Sequence, residues 1–238
     1  MQIRDVATSP DSTRLYIAGG ANGAYPNGFM AYETTNFTRL ILQTGYHTYR
    51  IGVNPNGRQL VMAHWSTGGN FIRFVNTTTF GYKSISPPVS TVFVYQYTNP
   101  EGTLGYGSGY LFDLVTETIK TTTPVTGDYA AFSYQRPRLY IVQDSSITVV
   151  DSNLNSTVAA LHGFHGLRNI VCDPHQPRAY VVDQIANSVI TLDISADTPR
   201  IIDTITSIIQ PFALALSPDS KYLYVGASSD ESLVVIRL

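Results

Sequence analysis

Residues of types that do binding chemistry recur along this chain, some in short clusters and some alone. His47, Tyr49 and Arg50 fall within four positions, His64 and Trp65 are adjacent, and Tyr95, Asp128 and Arg168 stand alone. Aromatic faces stack on sugars or planar groups, while Arg and Asp make paired hydrogen bonds to anions or hydroxyls. Together such residues predict a mixed, aromatic-bordered site for a carbohydrate or small anion. The same charges have a plainer use: Arg50, Arg168, Asp5 and Asp128 could simply neutralise one another, because buried charges need partners whether or not a ligand exists.

Stronger chemistry finds little support. Zinc needs three or four convergent ligands, and the pairs His47/His64 and His162/His165 do not make a metal motif. No G-x-S-x-G or H-E-x-x-H pattern is present. The single Cys172 excludes an intramolecular disulfide, a C-x-x-C redox pair and C-x-x-C-H haem attachment. It lies in the apolar run Asn169–Cys172, as a small buried hydrophobe would. No cofactor and no metal are expected.

These residues must be positioned by a scaffold, and the scaffold is a repeat. SPDSTRLYIA from Ser9 returns as SPDSKYLYVG from Ser217. Between them come NPNGRQLVMA from Asn54, NPEGTLGYGS from Asn99, SYQRPRLYIV from Ser133 and DPHQPRAYVV from Asp173. This spacing agrees with the ~40–45-residue period of a four-stranded propeller blade. In each unit a short strand A (Arg50–Val53, Ala213–Leu216) runs into the Pro/Asx/Gly turn, which sets strand B (Leu15–Ala18, Leu139–Val142). Strand C ends at Glu33, Asn76, Asp113, Asp151, Asp193 and, out of pattern, Arg237. Those recurring acids and amides are read as turn formers at the C–D bend, not as catalysts. Strand D follows, as in Arg39–Gln43 or Thr157–Leu161. Helical periodicity is absent, and the Val/Ile/Thr/Tyr-rich runs with frequent turns argue all-β.

The series SPD-x-x-x-LY-[IV]-[AG], followed by a strand like Ile147–Asp151, resembles the YVTN-type repeat of microbial surface-layer proteins over essentially the whole chain. The third unit, Leu104-Gly-Tyr-Gly, is its weakest copy. The expectation is a single all-β domain over 1–238, a six-bladed β-propeller of four-stranded blades. The last blade lacks its outer strand, because Leu238 ends strand C. Leu233, Val234, Val235 and Ile236 should then form an open edge, a template for another chain or for a further stretch of the same one. In a propeller the candidate residues above gather at the mouth of the central channel.

Composition bears on setting and partners. The charged share is 13%, about half of the roughly 25% of ordinary soluble domains. Lysine occurs only at Lys83, Lys120 and Lys221, and polarity comes from Thr, Ser, Asn and sixteen Tyr. A net charge of −2 without a basic run excludes an electrostatic footprint for nucleic acid. No run reaches the ~18 apolar residues of a membrane span. The function expected is a non-enzymatic extracellular or cell-surface binding and assembly module, with itself, another surface protein or carbohydrate as partner. The alternative is a small propeller hydrolase or lyase, lactonase-like, working at the channel mouth.

Overall fold

The computed structural model describes residues 2–20, 28–44, 47–66, 69–86, 97–206, 208–229 and 231–238. The chain packs as two compact units, Met1–Thr122 and Thr123–Leu238. All regular structure among the described residues is antiparallel sheet, and no helix long and apolar enough to cross a membrane occurs among them.

In the first unit the first blade is β1 (Gln2–Thr8), β2 (Arg14–Gly20), β3 (Gly28–Glu33) and β4 (Arg39–Thr44). The second is β5 (His47–Val53), β6 (Gln59–Ser66), β7 (Gly69–Asn76) and β8 (Tyr82–Ile85). The third is β9 (Tyr97–Thr98), β10 (Leu104–Gly107), β11 (Tyr110–Asp113) and β12 (Thr118–Thr122). The second unit holds β13 (Tyr129–Phe132), β14 (Arg138–Gln143), β15 (Ser146–Asp151) and β16 (Ser156–His162), then β17 (Leu167–Cys172), β18 (Arg178–Asp183), β19 (Ser188–Asp193) and β20 (Arg200–Thr206). Its last sheet is β21 (Pro211–Leu216), β22 (Tyr222–Ala227) and β23 (Ser232–Arg237). Within each sheet neighbours in sequence are neighbours in space, four strands in five sheets and three in the last. Strand C ends at the residue the repeat predicted in all six blades.

The anchor side chain explains why every unit begins with Ser, Asn or Asp. Its oxygen accepts backbone N–H groups of the turn it opens: Arg14 N donates to Ser9 Oγ at 2.9 Å, and Leu104 N to Asn99 Oδ1 at 2.7 Å. His175 N donates to Asp173 Oδ1 at 2.8 Å, and Tyr222 N to Ser217 Oγ at 2.9 Å. A short polar side chain thus satisfies turn donors that the ladder leaves over. The strand-C acids do the same one turn later. Asp151 Oδ1 accepts from Asn153 N and Leu154 N, each at 2.9 Å, and Asp113 Oδ1 from Val115 N and Thr116 N.

Burial follows strand position. β15 and β19 are buried along nearly their whole length, whereas the outer strands β12, β16 and β20 are largely exposed. A middle strand is covered on both faces, so it reads as a continuous apolar run such as Ile147-Thr-Val-Val150. Each fully buried Leu, Ile or Val there contributes ~1.5–3 kcal/mol. The ladder between strands C and D slips by one residue at a matching rung in four blades, between Ala31 and Tyr32, Leu111 and Phe112, Val149 and Val150, and Thr191 and Leu192. Each slip is a β-bulge, which bends the outer strand.

Candidate functional site

The second blade gathers five of the sequence candidates on adjacent strands, His47, Tyr49 and Arg50 on β5 and His64 and Trp65 on β6. Across β5 and β6, His47 pairs with Trp65 and Thr48 with His64, and the register then shifts before Arg50. Tyr49 occupies that irregularity. His64 is buried, with Nδ1 3.1 Å from the Thr48 hydroxyl and its ring stacked on Phe71 at 5.4 Å and 15°. Beside it lies a residue that sequence reasoning passed over. Arg73 is 3% exposed, with its guanidinium 4.0 Å from the Tyr82 ring centroid and 5.1 Å from that of Phe71. Its Nε donates to Ser84 Oγ at 3.3 Å. Cation–π contacts of this kind stabilise by ~0.5–2 kcal/mol when desolvated. The available signal was a charge inside the apolar strand Phe71–Val75.

Burial, and then the Arg73 charge, hold the His64 pKa down to about 3. The imidazole is therefore neutral at physiological pH, and it cannot hold a proton for general-acid work there.

The two arginines of the predicted set are paired. Arg50 lies 3.6 Å from Asp5 and its Nη1 donates to the Arg4 carbonyl at 2.8 Å. Asp5 also accepts from Ile51 N at 2.8 Å, so this carboxylate ties the first blade to the second. Burial raises its pKa against the opposing pull of that hydrogen bond and of Arg50. In the other unit Arg168 meets Asp144 at 3.0 Å and Asp128 is exposed just before β13. Tyr95 lies outside the described residues, and Trp65 is placed only by its position on β6. No group of three metal-ligating side chains converges among the described residues. Cys172 is a buried free thiol whose pKa burial pushes up, as an inert core residue requires.

At the last blade, β23 is bonded to β22 alone among the described strands. Val234 and Ile236 turn inward onto the cluster of Leu223 and Val225, while Leu233 and Val235 are 66% and 53% exposed. Val235 pairs with Tyr224 across the sheet, so it shares that residue's face with Leu233. The corresponding tyrosines Tyr140 and Tyr180 are buried in their blades, whereas Tyr224 is half-buried. An apolar sheet face thus runs up to the strand's open edge.

No protein-family model matches this chain, and no curated protein matches it. Solved structures do: 1277 chains match it, so the likeness selects no single activity. One is a chain of a structure described as the crystal structure of a mitotic checkpoint complex, at 18% identity and a TM-score of 0.83. The match covers 99% of this chain and 76% of that one. With the blade topology above, it shows the fold: a six-bladed β-propeller of four-stranded blades whose last blade has three strands.

Proposed function

We propose that this propeller is a non-enzymatic binding and assembly module of the cell surface or extracellular space, joining a second copy of itself at the open edge of its last blade. The observation that carries the reading is the exposure of β23. Strand C is buried along β15 and β19 but alternates between half-buried and exposed along β23. An added antiparallel strand would take up its free backbone groups and cover Leu233 and Val235. The sparsely charged, Thr- and Tyr-rich composition and the resemblance to YVTN-type surface-layer repeats support the setting. Propellers serve often as protein-interaction modules, and the fold neighbour comes from a protein complex. Turnover is less well supported than binding, since His64 is held neutral and Arg50 and Arg168 are already paired.

The test is light scattering at two protein concentrations, with electron microscopy of the same sample. Ordered oligomers or filaments are expected from the wild type. Val235→Lys, at an exposed position, should leave the circular dichroism unchanged and yield monomer. A wild type that stays monomeric at both concentrations would overturn the assembly reading.

A further inference from the structure

Between the first and second blades, the turns at Ser9–Thr13, Asn56–Arg58 and Thr77–Thr78 border an open cavity of about 270 Å³. Arg14 and Arg58 both line it. Arg14 Nη1 donates to the Thr77 carbonyl, yet no carboxylate of the described residues lies within 4.0 Å of its guanidinium, although Glu33 is its cross-strand partner. Arg58 is exposed, and its guanidinium makes neither an ion pair nor a hydrogen bond among the described residues. The Tyr16 hydroxyl also lines this wall, buried beside Arg14 with no acceptor for its proton among the described residues.

The second unit shows a related arrangement with a carboxylate in place, there between two guanidiniums of one turn. Arg138 stands at the same place in its repeat as Arg14. It meets its cross-strand Asp151 at 2.6 Å and Asp197 at 2.9 Å. Asp197 comes from the C–D turn of the next blade and also binds Arg136 at 2.6 Å. One carboxylate therefore sits between two guanidiniums. Arg136 Nη1 donates to the carbonyl of Ser195 in that turn, as Arg14 does to Thr77. In the first unit the equivalent turn reads Asn76-Thr-Thr-Thr79 and supplies no acid.

We propose that the Arg14–Arg58 cavity binds the carboxylate of an Asp or Glu side chain from an extended segment of a partner protein. That carboxylate takes the place Asp197 fills in the other unit. Charge agrees with a single carboxylate. Asp11 lines the cavity with the two arginines, and Ser9 Oγ, Thr13 N and Thr13 Oγ1 hold it ionised, leaving one net positive charge. A phosphate dianion would overshoot it. The incoming oxygens would bridge the guanidiniums and accept the Tyr16 proton. This site is independent of the β23 edge.

The experiment is NMR titration of the full chain, read at the Arg14 and Arg58 Nε–H resonances. The probes are a blocked Gly-Ser-Asp-Ser-Gly peptide, its Asn counterpart, acetate and inorganic phosphate. Saturable shifts are expected with the Asp peptide, weaker ones with acetate and none with the Asn peptide. Arg58→Gln, an exposed change that spares the fold, should weaken peptide binding about tenfold. Thr78→Asp should supply the carboxylate internally, abolish peptide binding and raise Tm. Equal shifts from the Asn peptide, or no saturation by the Asp peptide, overturn the proposal. Phosphate binding tighter than the peptide does so too, since the site would then be one for a free inorganic anion.

Discussion

The hydroxyl of Thr48 lies 3.1 Å from Nδ1 of His64, in a pocket where the imidazole is 1% exposed. This contact spans the first rungs of the second blade and serves a neutral ring.

Acid should therefore destabilise the protein through His64. Its pKa is about 3 folded and 6.5 unfolded, so the unfolded chain binds the proton first as pH falls. The stability contributed by the neutral ring is complete above pH 6.5 and declines between there and pH 3. Melting temperatures measured across that window should fall less steeply for His64→Phe. Parallel curves for the two proteins would refute the assignment.

Asp151 has two separable duties. Its Oδ2 meets Arg138 at 2.6 Å while Oδ1 accepts two turn N–H groups. Asp151→Asn keeps the acceptor, and Asp151→Ala removes both. Denaturant unfolding should show the alanine variant less stable by ~1–3 kcal/mol and the asparagine variant by a smaller amount. Equal losses would mean the turn acceptor contributes nothing.

Gly127 has no room for a side chain. A Cβ there would overlap the Val142 carbonyl oxygen and come within 2.7 Å of Ile141 Cγ2. Gly127→Ala should cost at least ~1–3 kcal/mol in chemical denaturation. Gly163→Ala, at φ +101° with nothing within 4 Å, meets backbone strain alone and should cost less than Gly127→Ala. The reverse ranking would contradict this packing.

The Tyr140 hydroxyl is buried without a hydrogen-bond partner among the described residues, and burial raises its pKa. Removing it should do no harm: Tyr140→Phe is expected to be neutral or stabilising by about 1 kcal/mol. A clear loss of stability would reveal a partner for that oxygen.

Much of the architecture was written in local chemistry, because a propeller blade is a short-range object. Ser9, Asn99, Asp173 and Ser217 mark turns by hydrogen bonds made within a few residues, and such bonds are visible as sequence pattern. The last blade's missing outer strand followed from counting. Contacts between blades were harder to read. Arg50 was expected to need a carboxylate, and Asp5 provides it, but the partner of Arg168 is Asp144 and not Asp128. Nor did the repeat distinguish Arg14 from Arg138, which occupy the same place, although Arg138 meets both its cross-strand Asp151 and Asp197 of a neighbouring turn and Arg14 pairs with no carboxylate of the described residues. Arg73 was overlooked because period-two strand reading assigns an isolated charge to the solvent side, whereas Phe71 and Tyr82 give it an aromatic seat.

The bulge shared by four C–D ladders constrains whatever pairs with β23. Val235 stands at the rung of Val149 and Thr191, so a strand aligning as the native outer strands do must skip one residue between Val235 and Ile236. A regular, unbroken strand would match the rungs on one side of that point and lose phase on the other. Any strand that joined this edge in the native register would therefore need an extra residue at one position, and a uniform strand would fit only part of its length.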